Sequence, residues 1–295
     1  MYRQSFFSQC LTHSFFLRKV LSLLNINIYT KISIIQRSLN QKIDEIRDHL
    51  YNNLMNPQVY IGTSGWNYNH WKELFYPADC PKTKWLEFYA KHFRSVELNA
   101  SFYRLPKPQT FENWRKRTPD NFLWSVKASR YITHIKRIKD VTEPLERFFS
   151  SVELLKEKLG PILFQLPPNL TFDETILHHF CQKLKANHLY ALEVRHPSWA
   201  HEKKAIDMLK DNNIALCISD TAGRYPYIEE DTATFIYIRL HGSKKLYSSD
   251  YSEEELQTYA GKIRDWSKET YLYFDNDYGG YAIKNAKRMK EVLGI

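Results

Sequence analysis

The chain is 295 residues long, 43% hydrophobic and 25% charged, with a formal net charge of +9. These figures exclude a disordered segment and supply enough apolar side chains for one large α/β domain or two ordinary ones. The positive excess is compatible with an anionic partner, whether an acidic small molecule, a phosphate or nucleic acid, without selecting among them.

The four cysteines, Cys10, Cys80, Cys181 and Cys217, stand far apart with no CxxC pair. That spacing argues against a zinc knuckle or a disulfide framework and suits a cytoplasmic setting. Residues 1–55 read as a basic, partly apolar extension containing Phe6, Phe7, Phe15, Phe16 and Arg18-Lys19, with Asp44 the first acidic residue. The longest charge-free run after Lys19, residues 20–30, falls short of the roughly 20 residues a spanning helix needs. Arg18-Lys19 also interrupt what would otherwise resemble a signal peptide. Two readings remain for 1–55: an amphipathic helical extension, or sequence upstream of a true start at Met55. Residues 56–295 are expected to form one domain.

From Val59 onward, short apolar runs bounded by turn residues alternate with longer helical patterns, the mark of βα units and a parallel sheet. Strands are expected at 59–64, 95–101, 122–129, 161–166, 189–195, 214–220, 234–241 and 270–277. Helices are expected at 84–92, 110–117, 144–159, 174–186, 202–212, 252–267 and 281–293. Only the link between the sixth and seventh strands lacks a helix. Eight strands in about the usual length predict an α/β fold of the (β/α)8 TIM-barrel type.

Strand side chains alternate between two faces, and in these runs one face is polar. Leu192 and Val194 oppose Ala191, Glu193 and Arg195; Val96, Leu98 and Ala100 oppose Glu97, Asn99 and Ser101. Trp124 and Val126 oppose Ser125 and Lys127, and Phe164 and Leu166 oppose Gln165. Ile236, Ile238 and Leu240 oppose Tyr237, Arg239 and His241, while Leu272 and Phe274 oppose Tyr273, Asp275 and Asp277. Helices outside a barrel need apolar strand faces, so Glu97, Lys127, Gln165, Glu193, Arg195, Arg239, His241 and Asp275 should converge on the axis. A salt-bridged polar core would look the same from the sequence. Most of these residues nevertheless fall late in their strands, and barrel enzymes build their sites at the carboxyl-terminal rim.

Glu97, Glu193, His196, Asp220, His241 and Asp277 are therefore the candidate catalytic groups. Trp66, Tyr103, Lys127, Gln165, Arg195, Arg239, Asn276, Gly279 and Gly280 are the candidate substrate-binding residues. Gly279-Gly280 precede the last helix where such barrels commonly hold phosphate, and His241-Gly242-Ser243-Lys244-Lys245 adds donors nearby. Trp66, Trp71 and Tyr103 lie in aromatic loops; packing is expected for most, with ligand contact for Trp66 or Tyr103. A divalent metal on the scattered carboxylates and histidines is compatible but not favoured, since no HxH or HExxH spacing occurs. Which cofactor, if any, the protein takes is left unknown by the sequence. No GxGxxG follows the first strand, and no P-loop or GxSxG elbow is present, so dinucleotide, NTPase and serine-hydrolase readings lack a motif.

Six stretches carry a family resemblance: IGTSGWNYNHWKELFYP at 61–77, VELNASFYRLPKPQTFENW at 96–114, ILFQLPP at 162–168, EVRHPSW at 193–199, IRLHG at 238–242 and YLYFDNDYGGYAIKNA at 271–286. From about Val59 to Leu293 the chain resembles the YecE-like family, domain of unknown function 72. The resemblance implies a TIM barrel and a rim site at Trp66, Glu97, Tyr103, Lys127, Gln165, Glu193, Arg195, His196, Asp220, Arg239, His241, Asn276 and Asp277. It implies no activity and does not reach residues 1–55. The family's last strand commonly has asparagine where this chain has Asp275.

Three functions fit these observations. The first is a hydrolase or lyase acting on a phosphorylated or sugar-containing anion, with Glu97 and Glu193 as acid and base and His196 or His241 relaying protons. The second is a nucleic-acid-binding barrel, in one version a metal-dependent repair nuclease. The third is a non-catalytic ligand sensor.

Overall fold

The computed structural model describes residues 57–295 and, in the amino-terminal stretch, the helical residues 31, 36–39 and 42. The chain divides into two compact units, Met1–Asn56 and Pro57–Ile295. The expected extension and the start at Met55 thus lie outside the described residues, apart from those few helical positions.

Among the described residues of the second unit the strands are β1 (Val59–Thr63), β2 (Ser95–Leu98), β3 (Leu123–Lys127), β4 (Leu159–Gln165), β5 (Tyr190–Glu193), β6 (Ile214–Leu216), β7 (Ile218–Asp220), β8 (Phe235–Leu240) and β9 (Glu269–Phe274). They form two parallel sheets, ordered β1-β9-β8-β7 and β2-β3-β4-β5-β6. Each of the eight expected strands is present, but the sixth is not continuous. It breaks at Cys217 because the chain changes partner there: β6 pairs with β5 and β7 with β8. The Cys217 N–H still donates to the Leu192 carbonyl at 2.9 Å.

The other edges of the two sheets also touch. Ser64 and Glu97 form a parallel bridge, and the Gly65 N–H donates to the Glu97 carbonyl at 2.8 Å. The approach requires glycine at position 62, where an added Cβ would lie 2.2 Å from the Ser95 carbonyl oxygen.

Between the strands lie α1 (Trp85–Ala90), α2 (Ala100–Tyr103), α3 (Pro108–Arg117), α4 (Thr142–Val152), α5 (Glu174–Cys181), α6 (Ser198–His201), α7 (Lys203–Asp211), α8 (Glu253–Trp266) and α9 (Tyr281–Leu293). Their sequences show why they form. In α4, Leu145, Phe148, Phe149 and Val152 recur at helical spacing and are buried, an apolar stripe in which each buried Leu or Phe contributes roughly 1.5–3 kcal/mol. Ser252 and Glu255 close a reciprocal capping box at the start of α8, satisfying backbone donors that the helix leaves unpaired.

Several boundaries differ from expectation. The helix expected over 144–159 ends at Val152 and continues as a 3-10 segment, Glu153–Lys158, in which Lys156 adopts a φ of 52°. The second strand stops at Leu98, since Ala100–Tyr103 turn helical and the Ser101 hydroxyl donates to the Lys127 carbonyl at 2.6 Å. The stretch from Thr221 to Thr234 contains no helix, as expected. Among the described residues no helix is long and apolar enough to cross a membrane.

The two strand faces separate as the alternation predicts. Val96, Leu98, Trp124, Val126, Phe164, Leu192, Val194, Ile236, Ile238, Leu240, Leu272 and Phe274 join the large core beneath the helices. Leu163, Ala191, Ala215, Cys217, Phe235, Tyr237, Tyr271 and Tyr273 form a second, smaller cluster. The polar groups of that second face lie beyond it, at the carboxyl ends of the strands.

Candidate active site

Arg239, the fifth of the six residues of β8, is completely buried. An unpaired guanidinium there would cost several kcal/mol, and the neighbouring strands supply its partners. From β2, Glu97 accepts from Nε at 2.9 Å and from Nη2 at 2.8 Å; from β5, Glu193 accepts from Nη1 at 2.6 Å. Just past β9, Asp275 accepts from Nη2 at 3.0 Å. Nη1 also lies 3.1 Å from His241 Nε2, which must then be the acceptor. The hydrogen of that tautomer is on Nδ1, 2.9 Å from Asp275 Oδ2, though not aligned as a hydrogen bond.

Glu97 has no lone pair to spare. The Ser64 hydroxyl donates to Oε1 at 2.6 Å and the Tyr237 hydroxyl to Oε2 at 2.7 Å. Burial alone would push the Arg239 pKa down, but the Glu97, Glu193 and Asp275 carboxylates hold it well above its ordinary value. Burial likewise raises the Glu193 carboxyl, yet Arg195, Arg239, His241 and Lys127 take it well below the usual carboxylate range. Asp275 is lowered for the same reasons, Arg239 and His241 overcoming burial.

Beside this saturated cluster lies a second cationic region on β3 and beyond β5. Lys127, at the end of β3, is buried and donates to Gln165 Oε1 at 2.6 Å. Its Nζ stands 4.4 Å from the centroid of the Phe102 ring. Among the described residues no carboxylate pairs with this amine within 4.0 Å, and burial, followed by the Arg239 charge, lowers its pKa to about 8. Arg195 donates from Nε to Glu193 Oε1 at 2.9 Å, and its guanidinium lies 4.7 Å from the centroid of Tyr225. The field of this region registers on His134, whose pKa falls to about 4 through burial and then the Lys127, Arg195 and Arg130 charges.

Asp277 leaves the cluster. Its carboxylate accepts from Trp71 Nε1 at 2.7 Å and meets His70 Nε2 at 2.8 Å. Burial raises its pKa to about 6 despite both partners.

The structure thus brings together Glu97, Glu193, Arg239, His241 and Asp275, with Lys127, Gln165 and Arg195 adjoining. It does not bring in His196, Asp220 or Asn276. The His196 ring receives the Ser198 N–H on Nδ1 at 3.2 Å, at the start of α6. Asp220 accepts from the Tyr251 hydroxyl at 2.9 Å and from Tyr259 at 3.4 Å. Asn276 donates to the Ser249 carbonyl and to Asn285 Oδ1, each at 2.8 Å, tying two loops together. All three share strand parity with apolar neighbours: His196 with Val194, Asp220 with Ile218, Asn276 with Phe274. That alternation was the available signal.

Trp66 packs edge-on against Trp114 and Trp124 at 5.5 and 5.1 Å, whereas Tyr103 is 77% exposed. Gly280 caps α9 at a φ of 81°, a left-handed conformation that favours glycine, whereas the atoms a Cβ there would meet are the terminal methyls of the exposed Leu74 side chain. Gly279, at φ 70°, faces open space. Sequence reasoning missed Ser64, His134 and the hydroxyl of Tyr237. Tyr237 was legible, two residues before Arg239 on the same face; His134, in a short π-helical turn, Tyr131–Ile135, offered no periodicity. Among the described residues no three His, Cys, Asp or Glu side chains gather as a metal-ligand set.

Parallel strands that present a buried ionic cluster at their carboxyl ends define a class of α/β proteins with a polar site at one end of the sheet. Residues 60–295 match the family model described as Protein of unknown function DUF72, and the chain belongs to that family. The UPF0759 protein YunF of Bacillus subtilis (strain 168) is 28% identical over 273 residues, 80% of this chain and 95% of that protein. The UPF0759 protein YecE of Escherichia coli (strain K12) is 32% identical over 142 residues, 48% of this chain and 50% of that one. A solved DUF72 family protein from Thermotoga maritima MSB8 has a TM-score of 0.73 at 31% identity, covering 81% of this chain and 100% of that one. A second, from Enterococcus faecalis V583, shares the fold with a TM-score of 0.71 at 23% identity, covering 81% and 96%. The resemblance read from the sequence is borne out, and none of these names states an activity.

Proposed function

We propose that this protein is an enzyme, a hydrolase or lyase, whose anionic substrate binds at the carboxyl ends of the strands beside Lys127 and Arg195. The observation that carries the reading is the unequal sharing of charge. Arg239 is surrounded by three carboxylates, whereas Lys127 meets the neutral Gln165 and the Phe102 ring, and Arg195 shares Glu193 with Arg239. Negative charge is therefore concentrated around Arg239 and unbalanced positive charge on the Lys127 side. An anion is favoured there, where low dielectric strengthens each charge-assisted hydrogen bond.

The roles shift accordingly. Arg239 has its donors engaged and is fully buried, so it fixes the two glutamates rather than holding substrate. Glu193, kept well below the usual carboxylate range, stays ionised and orients Arg195. Proton transfer near neutrality falls to a group poised there: Lys127, at about 8. This reading takes the two sheets as halves of one closed (β/α)8 barrel. The Ser64–Glu97 bridge on one side and the strand shared across Cys217 on the other support that closure.

Titration of the folded protein with inorganic phosphate and a panel of phosphate esters, followed by calorimetry, tests the proposal. Arg195→Met is expected to weaken binding about tenfold or more, the loss of one charge-assisted contact. Unchanged affinity in that variant, or no anion binding by the parent protein, would exclude the site.

A further inference from the structure

We propose that Lys127 is a covalent nucleophile: its amine condenses with the aldehyde or ketone carbon of a substrate that also carries a carboxylate or phosphate. This rests on the anionic-substrate reading above and narrows it to lyase chemistry.

The geometry carries it. Buried lysines are rarely left without a charged partner. Three carboxylates lie in the adjoining cluster, and all are committed to Arg239, with Glu193 also serving Arg195. Lys127 instead donates to a side-chain amide oxygen, Gln165 Oε1, which orients the nitrogen without holding its charge. Lys127 is 8% exposed as a residue and sits at the carboxyl end of β3, with the Phe102 ring beside its amine. Burial and then the Arg239 charge lower its pKa to about 8, against the opposing pull of the Glu193, Glu97 and Asp275 carboxylates. Such an amine retains a useful neutral fraction at physiological pH. Arg195, across Glu193, is placed to hold the substrate anion.

The step balances without an oxidant. The nitrogen lone pair forms the C–N bond as the carbonyl π pair moves to oxygen, and a proton passes from nitrogen to that oxygen. With one further proton from solvent the oxygen leaves as water, giving a protonated imine. Hydrolysis reverses it.

Reductive trapping tests this on the full chain. The protein is incubated with glyoxylate, or with the neutral glycolaldehyde, in the presence of cyanoborohydride, and adducts are mapped by peptide mass spectrometry. The expected result is one dominant adduct on Lys127, formed roughly tenfold faster than on exposed lysines such as Lys203 and faster with glyoxylate than with glycolaldehyde. Lys127→Arg should lose it. Gln165→Glu, which supplies the missing carboxylate, should slow it about tenfold by keeping the amine protonated. Adducts spread over exposed lysines, none on Lys127, or an unaffected Gln165→Glu would overturn the nucleophile, while phosphate binding at Arg195 could still stand. Equal trapping of both aldehydes on Lys127 would keep the nucleophile and overturn the anionic substrate.

Discussion

Two buried cations on the same strand face, Arg239 and Lys127, have opposite surroundings. Arg239 engages Glu97, Glu193 and Asp275, and its guanidinium charge is over-compensated. Lys127 engages one neutral amide. A buried charge that is saturated by its neighbours holds the fold together; one left with a neutral partner keeps the capacity to react or to bind. The contrast separates the structural half of the cluster from the chemical half, a distinction that a count of charged residues would not make.

The largest effect that could break this contrast is on stability. Arg239→Met strands three carboxylates and should cost about 3–5 kcal/mol, the range for breaking a buried pair, read by equilibrium urea unfolding. Lys127→Met should change stability far less, because removing a desolvated charge offsets the donor lost by Gln165, two opposing contributions of about 1–3 kcal/mol each. Equal losses in the two variants would erase the distinction.

Glu97→Gln comes next. It retains the shape and weakens the charge-assisted bonds to Arg239, for an expected loss of about 1.5–3 kcal/mol. Tyr237→Phe, which removes only the hydroxyl donor to Glu97, should cost about 1 kcal/mol by the same measurement.

A pH series sharpens the comparison from the other side. The Lys127 pKa is about 8 in the folded protein against an ordinary 10.5. Between those values the unfolded chain holds the proton that the folded protein has released, so this group makes stability rise with pH across the window. The rise should be present in the parent protein and absent in Lys127→Met. Glu193 acts at the acid end: its folded pKa is depressed, so its contribution is present above the ordinary carboxylate range and lost as pH falls through the folded value.

The strand faces were legible because alternation is a local property. Leu192 and Val194 against Glu193 and Arg195 already state which side meets the helices. The break at Cys217 was not legible, since Ile214 to Asp220 reads as one strand and the change of partner depends on β5 and β8. The same parity rule, extended to the strand ends, assigns Asp220 and Asn276 to the outer layer, where they bond Tyr251 and Asn285. Asp277 was harder. It has the parity of Asp275, but the chain has left the strand by then, and Trp71 and His70 from the first loop capture it. Nor did the sequence indicate which cation would be saturated, because Glu97, Glu193 and Asp275 meet Arg239 only through strand neighbours remote in the chain.

The most direct measurement is the titration of the Lys127 side-chain nitrogen, followed by NMR in lysine-labelled protein and assigned with Lys127→Arg. A midpoint near 8 is expected for an amine buried against a neutral partner. A midpoint at the ordinary 10.5 or above would mean that this amine is solvated or ion-paired like Arg239, and the division of the cluster into a structural and a chemical half would not hold.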